Sequence, residues 1–424
     1  MEHSSEVVVA LVFQLAAILI AAKLGGELCE RFIKVPPVLG ELAAGILIGP
    51  YMLGGMEIVG FGPLFPEIIG GHHGGGGFQL PFSESLWSLS QIGAIVLMFC
   101  AGLETDSRQF IRHAGPAALV AIGGAAIPFL LGAWATVLFG YADSIGSPSA
   151  LFVGAIFTAT SIGISVRVLA DMSRLDTPEG ITILGAAVLD DVLGILLLGV
   201  VLAVALGGDV SFTSTSLAAA KTLGFWIVLT GVVFLLRKPI SSSLDRFRVS
   251  GAPLAIVLGL AFFVSALSES FGLAMIIGAF SIGLGLSGTE LAERLEEPLR
   301  ALYHALVPIF FAVIGMMFDV TSIGHVWLFG LVATLLAIVG KVFGSGIPAF
   351  FAGFNRVGAW RVGVGMLPRG EVALIMAGIG MGAGVIDNDV FAVAIIVTIV
   401  TTILAPVILA RSFKEGVSGH KSIE

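Results

Sequence analysis

Apolar runs of about twenty residues recur from one end of this chain to the other. Each is long enough to cross a bilayer core of about 30 Å as a helix. The composition points the same way: 57% of the residues are hydrophobic and only 12% charged, with a mean hydropathy of +1.05. Ordinary soluble domains carry about 25% charged residues, and no soluble core of 424 residues could hide this much apolar surface. The expected class is therefore an all-α integral membrane protein. Met1–Glu6 lacks the basic region of a signal peptide, so the first run is retained as a span. Cys29 and Cys100 stand alone in or beside apolar runs, with no disulfide framework or zinc pattern. The net charge of −8 says little by itself, and no basic run points to nucleic acid.

Thirteen spans are expected, at about 7–30, 36–50, 86–104, 115–140, 148–170, 178–206, 217–236, 252–268, 271–287, 298–317, 324–352, 359–384 and 389–411. Loops after odd-numbered spans carry the basic residues: Arg31, Lys34, Arg108, Arg112, Arg167, Arg174, Arg237, Lys238, Arg246, Arg248, Arg294, Arg300, Arg356 and Arg361. The tail adds Arg411, Lys414 and Lys421. Loops after even-numbered spans carry acids instead, among them Glu57, Glu67, Asp143, Asp209, Glu269, Asp319 and Asp387. By the positive-inside rule the N-terminus is outside and the C-terminus cytoplasmic. A wrong span count would scramble this alternation. Lys23 and Lys221 can snorkel from span ends, which leaves Lys341 and Arg369 within spans.

Two stretches recur. Gly40–Gly45 in span two resembles Gly278–Gly283 in span nine, and Met98–Gly102 with Asp106 resembles Phe311–Gly315 with Asp319. The matched elements are seven spans apart, so the copies would cross the membrane in opposite senses. This predicts two inverted-topology six-helix repeats, about 7–206 and 252–411, linked by the span at 217–236. Small residues at helix contacts can also recur by chance, but inverted repeats are the usual build of secondary transporters. The same pairing matches span five with span twelve, and both look hard to keep helical. One contains Phe157-Thr-Ala-Thr-Ser161, the other Met366-Leu-Pro-Arg-Gly-Glu371. Crossed discontinuous helices are expected there, presenting N–H and C=O dipoles at the protein centre.

Asp190 and Asp191 lie near the middle of span six. A carboxylate at that depth costs on the order of 3 kcal/mol or more, so a pair implies a use. Adjacent helical residues point about 100° apart, so one can face a cavity while the other faces a neighbouring helix. Lys341, mid-way along span eleven, is the obvious counter-charge, unless it is a packing lysine that snorkels. Asp190 is expected to pair with Lys341 and Asp191 to face the ion path. Burial and a like charge strengthen a carboxylate's hold on a proton, and an ammonium partner weakens it. Such a group takes a proton or a small hard cation, and that competition couples the two movements. Thr158, Thr160 and Ser161 can lend oxygens to a dehydrated cation or bond between helices. Arg369 and Glu371 read better as charges supporting the broken ends than as direct ion ligands. Glu41, after Pro36-Pro37, either lines a cavity or caps a helix. His72–His73 within Gly70–Gly77 has no further ligand spacing and reads as an external loop.

These residues together resemble a known family. Phe157–Ser161, Val188-Leu-Asp-Asp-Val-Leu-Gly194, Pro308–Phe311 with Gly315-Met316, Gly340-Lys341 and Pro368-Arg-Gly-Glu371 are similar to the monovalent cation:proton antiporters. The nearest branch is the NapA and Kef-like group, which shares the NhaA fold, and the resemblance runs through essentially the whole chain. It implies a homodimer with a dimerisation domain and a moving core, and elevator-like alternating access. It implies Asp191 as the residue that carries cation and proton, Asp190 as its partner and Lys341 as the ion-pair lysine. It also implies that a double aspartate goes with electrogenic sodium/proton exchange, whereas Kef proteins more often have Gln-Asp. Kef proteins carry a nucleotide-binding domain after the spans. Only Arg411–Glu424 follows here, with no Gly-rich βαβ pattern, so none is expected in this chain.

The sequence thus points to a Na⁺ (or Li⁺)/H⁺ antiporter of a bacterial cytoplasmic membrane, with lipid as its surroundings, no cofactor, and cation and proton as cargo. Potassium/proton exchange is the alternative within transport. A channel is a different class, and would not need a protonatable site that alternates. An intramembrane aspartyl protease would draw its two aspartates from different helices, and here they are adjacent, so a transporter is expected rather than an enzyme.

Overall fold

The computed structural model describes residues 2–58, 62–66, 73–74, 78–205, 212–244, 247–319, 326–413 and 418–419. Glu67, Asp209, Arg246, Lys414 and Lys421 lie outside the described residues, as does most of the loop 70–77, His72 included.

Sixteen α-helices follow one another among the described residues: α1 (Glu2–Leu28), α2 (Pro37–Ile48), α3 (Glu84–Glu104), α4 (Ser107–Arg112), α5 (Ala114–Leu138), α6 (Pro148–Thr158), α7 (Ile162–Asp171), α8 (Pro178–Ala205), α9 (Phe212–Leu244), α10 (Ala252–Ser270), α11 (Met275–Leu286), α12 (Glu290–Met316), α13 (Trp327–Phe351), α14 (Arg356–Gly365), α15 (Glu371–Gly382) and α16 (Asn388–Phe413). A π-helical turn, Cys29–Ile33, ends the first of them. Eleven helical stretches among the described residues are long and apolar enough to cross a membrane, and Met275–Leu286 and Glu371–Gly382 are shorter apolar helices. The eleven long stretches fall on eleven of the thirteen expected runs; the runs at 271–287 and 359–384 hold only shorter helices, and the fifth and twelfth runs are each divided in two. Two small antiparallel pairs, Glu57–Ile58 with Gly62–Pro63 and His73–Gly74 with Phe78–Gln79, lie between α2 and α3.

Local chemistry sets the helix ends. Pro37 opens α2 and Pro148 opens α6, where a missing N–H costs nothing. Ser83 caps α3 and Thr289 caps α12 by accepting from the Leu86 and Ala292 amides. Asp106 caps α4, and the Arg108 and Gln109 amides hold its exposed carboxyl below the usual range.

The helices sort into two packed bundles. In one, α1, α2 and α3 pack with α10, α11 and α12, and α9 lies against α11. In the other, α5, α6 and α8 pack with α13, α14, α15 and α16. The short α7 touches both, meeting α2 and α3 on one side and α8 and α16 on the other. Wide apolar faces of α1, α9, α10 and α13 are exposed, including Phe13, Ile20, Leu235, Phe263 and Phe351, as helices surrounded by lipid require.

Glycine lets the first bundle close. A Cβ on Gly45 would fall on the Ala312 carbonyl, and one on Gly315 on that of Leu42, so α2 and α12 cross backbone to backbone. Gly102 and Gly283 do the same for α3 and α11, against the carbonyls of Phe280 and Phe99. No side chain fits at either crossing without moving helix backbone. Gly45→Leu should therefore destabilise the protein by about 2 kcal/mol or more, the scale of an overpacked core. Gly259→Leu on α10, where a Cβ meets nothing within 4 Å, should melt like wild type. Melting temperatures in detergent check the pair.

Candidate functional site

A helix interrupted at membrane depth leaves carbonyls at one end and amides at the other without partners. Here two interruptions meet. The break between α6 and α7 covers Ala159–Ser161, and that between α14 and α15 covers Met366–Gly370. Hydroxyls in the first, proline and glycine in the second, make continuous helix costly. The strands of chain in the breaks then satisfy one another. The Ser161 amide donates to the Pro368 carbonyl at 2.8 Å. The Thr160 hydroxyl donates to the Met366 carbonyl at 3.2 Å, and that of Ser165 to Gly365 at 2.5 Å. The Arg369 guanidinium donates to the Phe157 carbonyl, and Thr402 on α16 to the carbonyl of Arg369.

Beside this crossing α8 presents the two aspartates. Lys341 on α13 donates to both oxygens of Asp190 at 3.1 Å and to the Thr158 carbonyl at 2.6 Å. Lys341 has no exposed surface and Asp190 only 2%. The expected pairing of Asp190 with Lys341 is what the geometry has, and the lysine does not snorkel. One ammonium thus neutralises a buried carboxylate and ends a broken helix, with cations placed at the carbonyl end of α6 where the helix dipole favours them. Arg369 adds a second positive charge within electrostatic reach of Asp190.

Asp191 is placed differently. It too is buried, but its Oδ2 has no hydrogen-bond partner. Its electrostatic neighbours are Asp190, Glu371 and Lys341. Of the three hydroxyl residues expected near the ion, Thr158 donates its hydroxyl back to Ala155 within α6 at 2.7 Å. Thr160 lies beside Asp190. Ser161 lies beside Glu371, near enough for its hydroxyl to bear on that carboxylate.

Glu41 lies far from that group, in a cleft of about 850 Å³ at the α7 ends of the two bundles. It caps no helix, since α2 has no side-chain cap. Its Oε1 is 3.5 Å from Arg167 Nη2 and 3.8 Å from Lys23 Nζ. Arg167 also holds Asp171 at 3.0 Å and stacks over the Tyr303 ring at 4.9 Å. Arg167 of α7 thus reaches α2 through Glu41 and α12 through Tyr303. A second buried ion pair joins Arg361 of α14 to Glu179 of α8 at 2.8 Å, with Arg361 also bonded to the Ser412 carbonyl and stacked over Phe413. Arg167 and Arg361 count only as loop charges in a topology reading. The missed signal is their position: both fall inside the apolar stretches expected at 148–170 and 359–384.

Comparison with known proteins adds an independent line. Residues 8–415 match the family described as sodium/hydrogen exchanger, transmembrane. The chain is 35% identical to the high-affinity Na⁺/H⁺ antiporter NhaS3 of Synechocystis, over 96% of this chain and 91% of that protein. It is 35% identical to the Na⁺/H⁺-K⁺ antiporter GerN of Bacillus cereus, over 95% and 96% of the two. Among solved structures, the sodium proton antiporter MjNhaP1 of Methanocaldococcus jannaschii aligns with a TM-score of 0.67 over 96% of this chain and 97% of that one. At 19% identity that likeness concerns the fold.

The shared lysine makes a sharp expectation. Lys341→Ala strands a buried carboxylate and a helix-end carbonyl and should cost about 3–5 kcal/mol. Joining it with Asp190→Asn, as the double variant with Lys341→Met, should recover most of that loss, because a neutral amide beside an apolar chain carries no uncompensated charge. Melting of the single and double variants reads the difference.

Proposed function

This chain belongs to the sodium/hydrogen exchanger family, and on that premise we propose that it exchanges a monovalent cation for protons by secondary active transport, with Asp191 as the carrier. The observation that carries the reading is the divided state of the two aspartates. Asp190 is committed to Lys341, while Asp191 keeps a buried oxygen without a partner. A carboxylate in such a place holds a proton or a small hard cation, and binding one displaces the other. Sodium is the first cargo in this reading, lithium a companion, and exchange is electrogenic. Potassium is a second reading, supported by the relative whose name includes K⁺.

Alternating access follows from the two bundles. The crossing and the aspartates ride on the bundle of α5, α6, α8 and α13–α16, which moves like an elevator against the other. The Arg167–Glu41 contact ties the two together at the cleft and parts when the site turns to face the opposite side. The cleft is the cytoplasmic end, lined as it is by basic residues of the loops read as inside, such as Lys34 and Arg174. α11 and the divided α14–α15 also cross, giving thirteen spans in two inverted repeats with α9 as the link. The glycine crossings support this. The repeat matches Gly45 with Gly283 and Gly102 with Gly315, and it turns the contact of α2 with α12 into that of α11 with α3. The assembly is a homodimer in a bacterial cytoplasmic membrane, with the N-terminus outside.

Proteoliposomes loaded with a pH dye test the function when Na⁺, Li⁺ and K⁺ are added in turn. Proton movement is expected with at least Na⁺, and none with any cation would refute exchange. Asp191→Asn should abolish the signal, whereas a channel would still conduct. Competition has its own signature. As pH falls the apparent KM for Na⁺ should rise while the maximal rate holds. A maximal rate that falls at constant KM would instead place the proton elsewhere.

A further inference from the structure

The buried charges around the helix crossing divide into two chemically distinct halves. Asp190, Lys341, Arg369 and the carbonyls of Phe157 and Thr158 form one, in which every acceptor faces a cation. The other contains acceptors and a hydroxyl only. Asp191 and Glu371 are within electrostatic reach of each other, and Ser161 lies beside Glu371. Arg369, two residues from Glu371, turns to the first half, donating to Phe157.

Three side chains in the second half are more than nine-tenths buried, with relative exposures of 8% for Asp191, 8% for Glu371 and 1% for Ser161. The two carboxylates each present an oxygen with no hydrogen-bond partner, Asp191 Oδ2 and Glu371 Oε2, while the Ser161 hydroxyl bears on the Glu371 carboxyl. Buried polar atoms are nearly always satisfied, so two unsatisfied carboxylate oxygens from two helices call for a shared ligand. Two carboxylates with one neutral hydroxyl between them suit a hard cation, which takes oxygen ligands from carboxylates and hydroxyls. We propose that Glu371 is the second carboxylate of the cation site, which it forms with Asp191 and Ser161, so that the transported ion is held between α8, α15 and the break before α7. This rests on the antiport reading above and assigns the ligands within it.

The competing role for Glu371 is local. It is the first residue of α15, where an acid stabilises the helix N-terminus. That role costs stability when the charge is lost but leaves cation affinity alone. A ligand role shows in KM. Two carboxylates flanking one monovalent ion also differ from one in charge balance. With Asp190 and Lys341 neutralising each other, the second half is left with the charges of Asp191 and Glu371, one of which needs a proton when a single Na⁺ is bound.

The experiment is Na⁺- and Li⁺-driven proton movement in proteoliposomes at fixed alkaline pH, with Na⁺-induced thermal stabilisation in detergent measured alongside. Glu371→Gln is expected to raise the Na⁺ KM tenfold or more with a maximal rate within threefold of wild type, and to remove the stabilisation by Na⁺. Glu371→Asp should fall between. An unchanged KM with retained stabilisation, in a protein that merely melts earlier, overturns the assignment. Should Glu371→Gln fail to fold, Ser161→Ala carries the same test, with a KM raised severalfold expected and an unchanged one refuting the site. Wild-type protein that moves no protons refutes the antiport reading itself, whereas active wild type with unaltered Glu371 and Ser161 variants refutes only the ligand set.

Discussion

The structure turns on a backbone problem. Two helices break in the middle of an apolar protein, where water is not at hand to satisfy the freed carbonyls and amides. The solution is to bring the breaks together, so that the Ser161 amide finds the Pro368 carbonyl and Thr160 finds that of Met366. What the breaks cannot supply to each other comes from two cationic side chains. Lys341 takes the Thr158 carbonyl and Arg369 takes that of Phe157. Buried cations need buried anions, and Asp190 is there to meet them. A charged site is thereby built into the fold for structural reasons before any cargo is considered.

That origin explains why the paired aspartates behave unequally. Adjacent residues on α8 leave the helix at different angles, so only Asp190 reaches Lys341. Asp191 inherits the depth without the counter-charge. Lys341 and Arg369 both donate to carbonyls at the broken end of α6, and Asp191 keeps an oxygen without a partner. Fold stability and the proposed ion chemistry thus share one set of residues but use different members of it. The frame around them is rigid at the glycine crossings of α2 with α12 and α3 with α11, where helix backbones touch.

Much of this can be read from the chain alone, for a clear physical reason. Charge in an apolar run is expensive, so Asp190, Asp191, Lys341 and Arg369 announce themselves. Proline, glycine and clustered hydroxyls in spans five and twelve announce the breaks equally well. What cannot be read is how residues sort around a break. Outside regular helix there is no period to follow, so Thr158, Thr160 and Ser161 look alike in sequence while only Ser161 stands by Glu371. Arg167 and Arg361 hide for the opposite reason. Basic residues near span ends are what topology predicts, so only their position just inside the apolar stretches hints at burial, and nothing in the sequence names Glu41 or Glu179 as their partners. The glycines are visible in the sequence, but not that Gly45 and Gly315 would meet across α2 and α12, or Gly102 and Gly283 across α3 and α11.

The contacts across the two breaks also bear on how such a chain is made. Thr160 and Met366 are 206 residues apart, and Arg369 and Phe157 are 212 apart. A ribosome feeding spans into the membrane releases the first break long before its complement exists. Until then the carbonyl end of α6 and the amide end of α7 must rely on passing water or on slippage into continuous helix. Closing a loop of that length is slow compared with forming the helices themselves. The crossing of the two breaks is therefore a late product of biogenesis, assembled only when the second half of the chain arrives, and the half-made protein is the form most exposed to quality control.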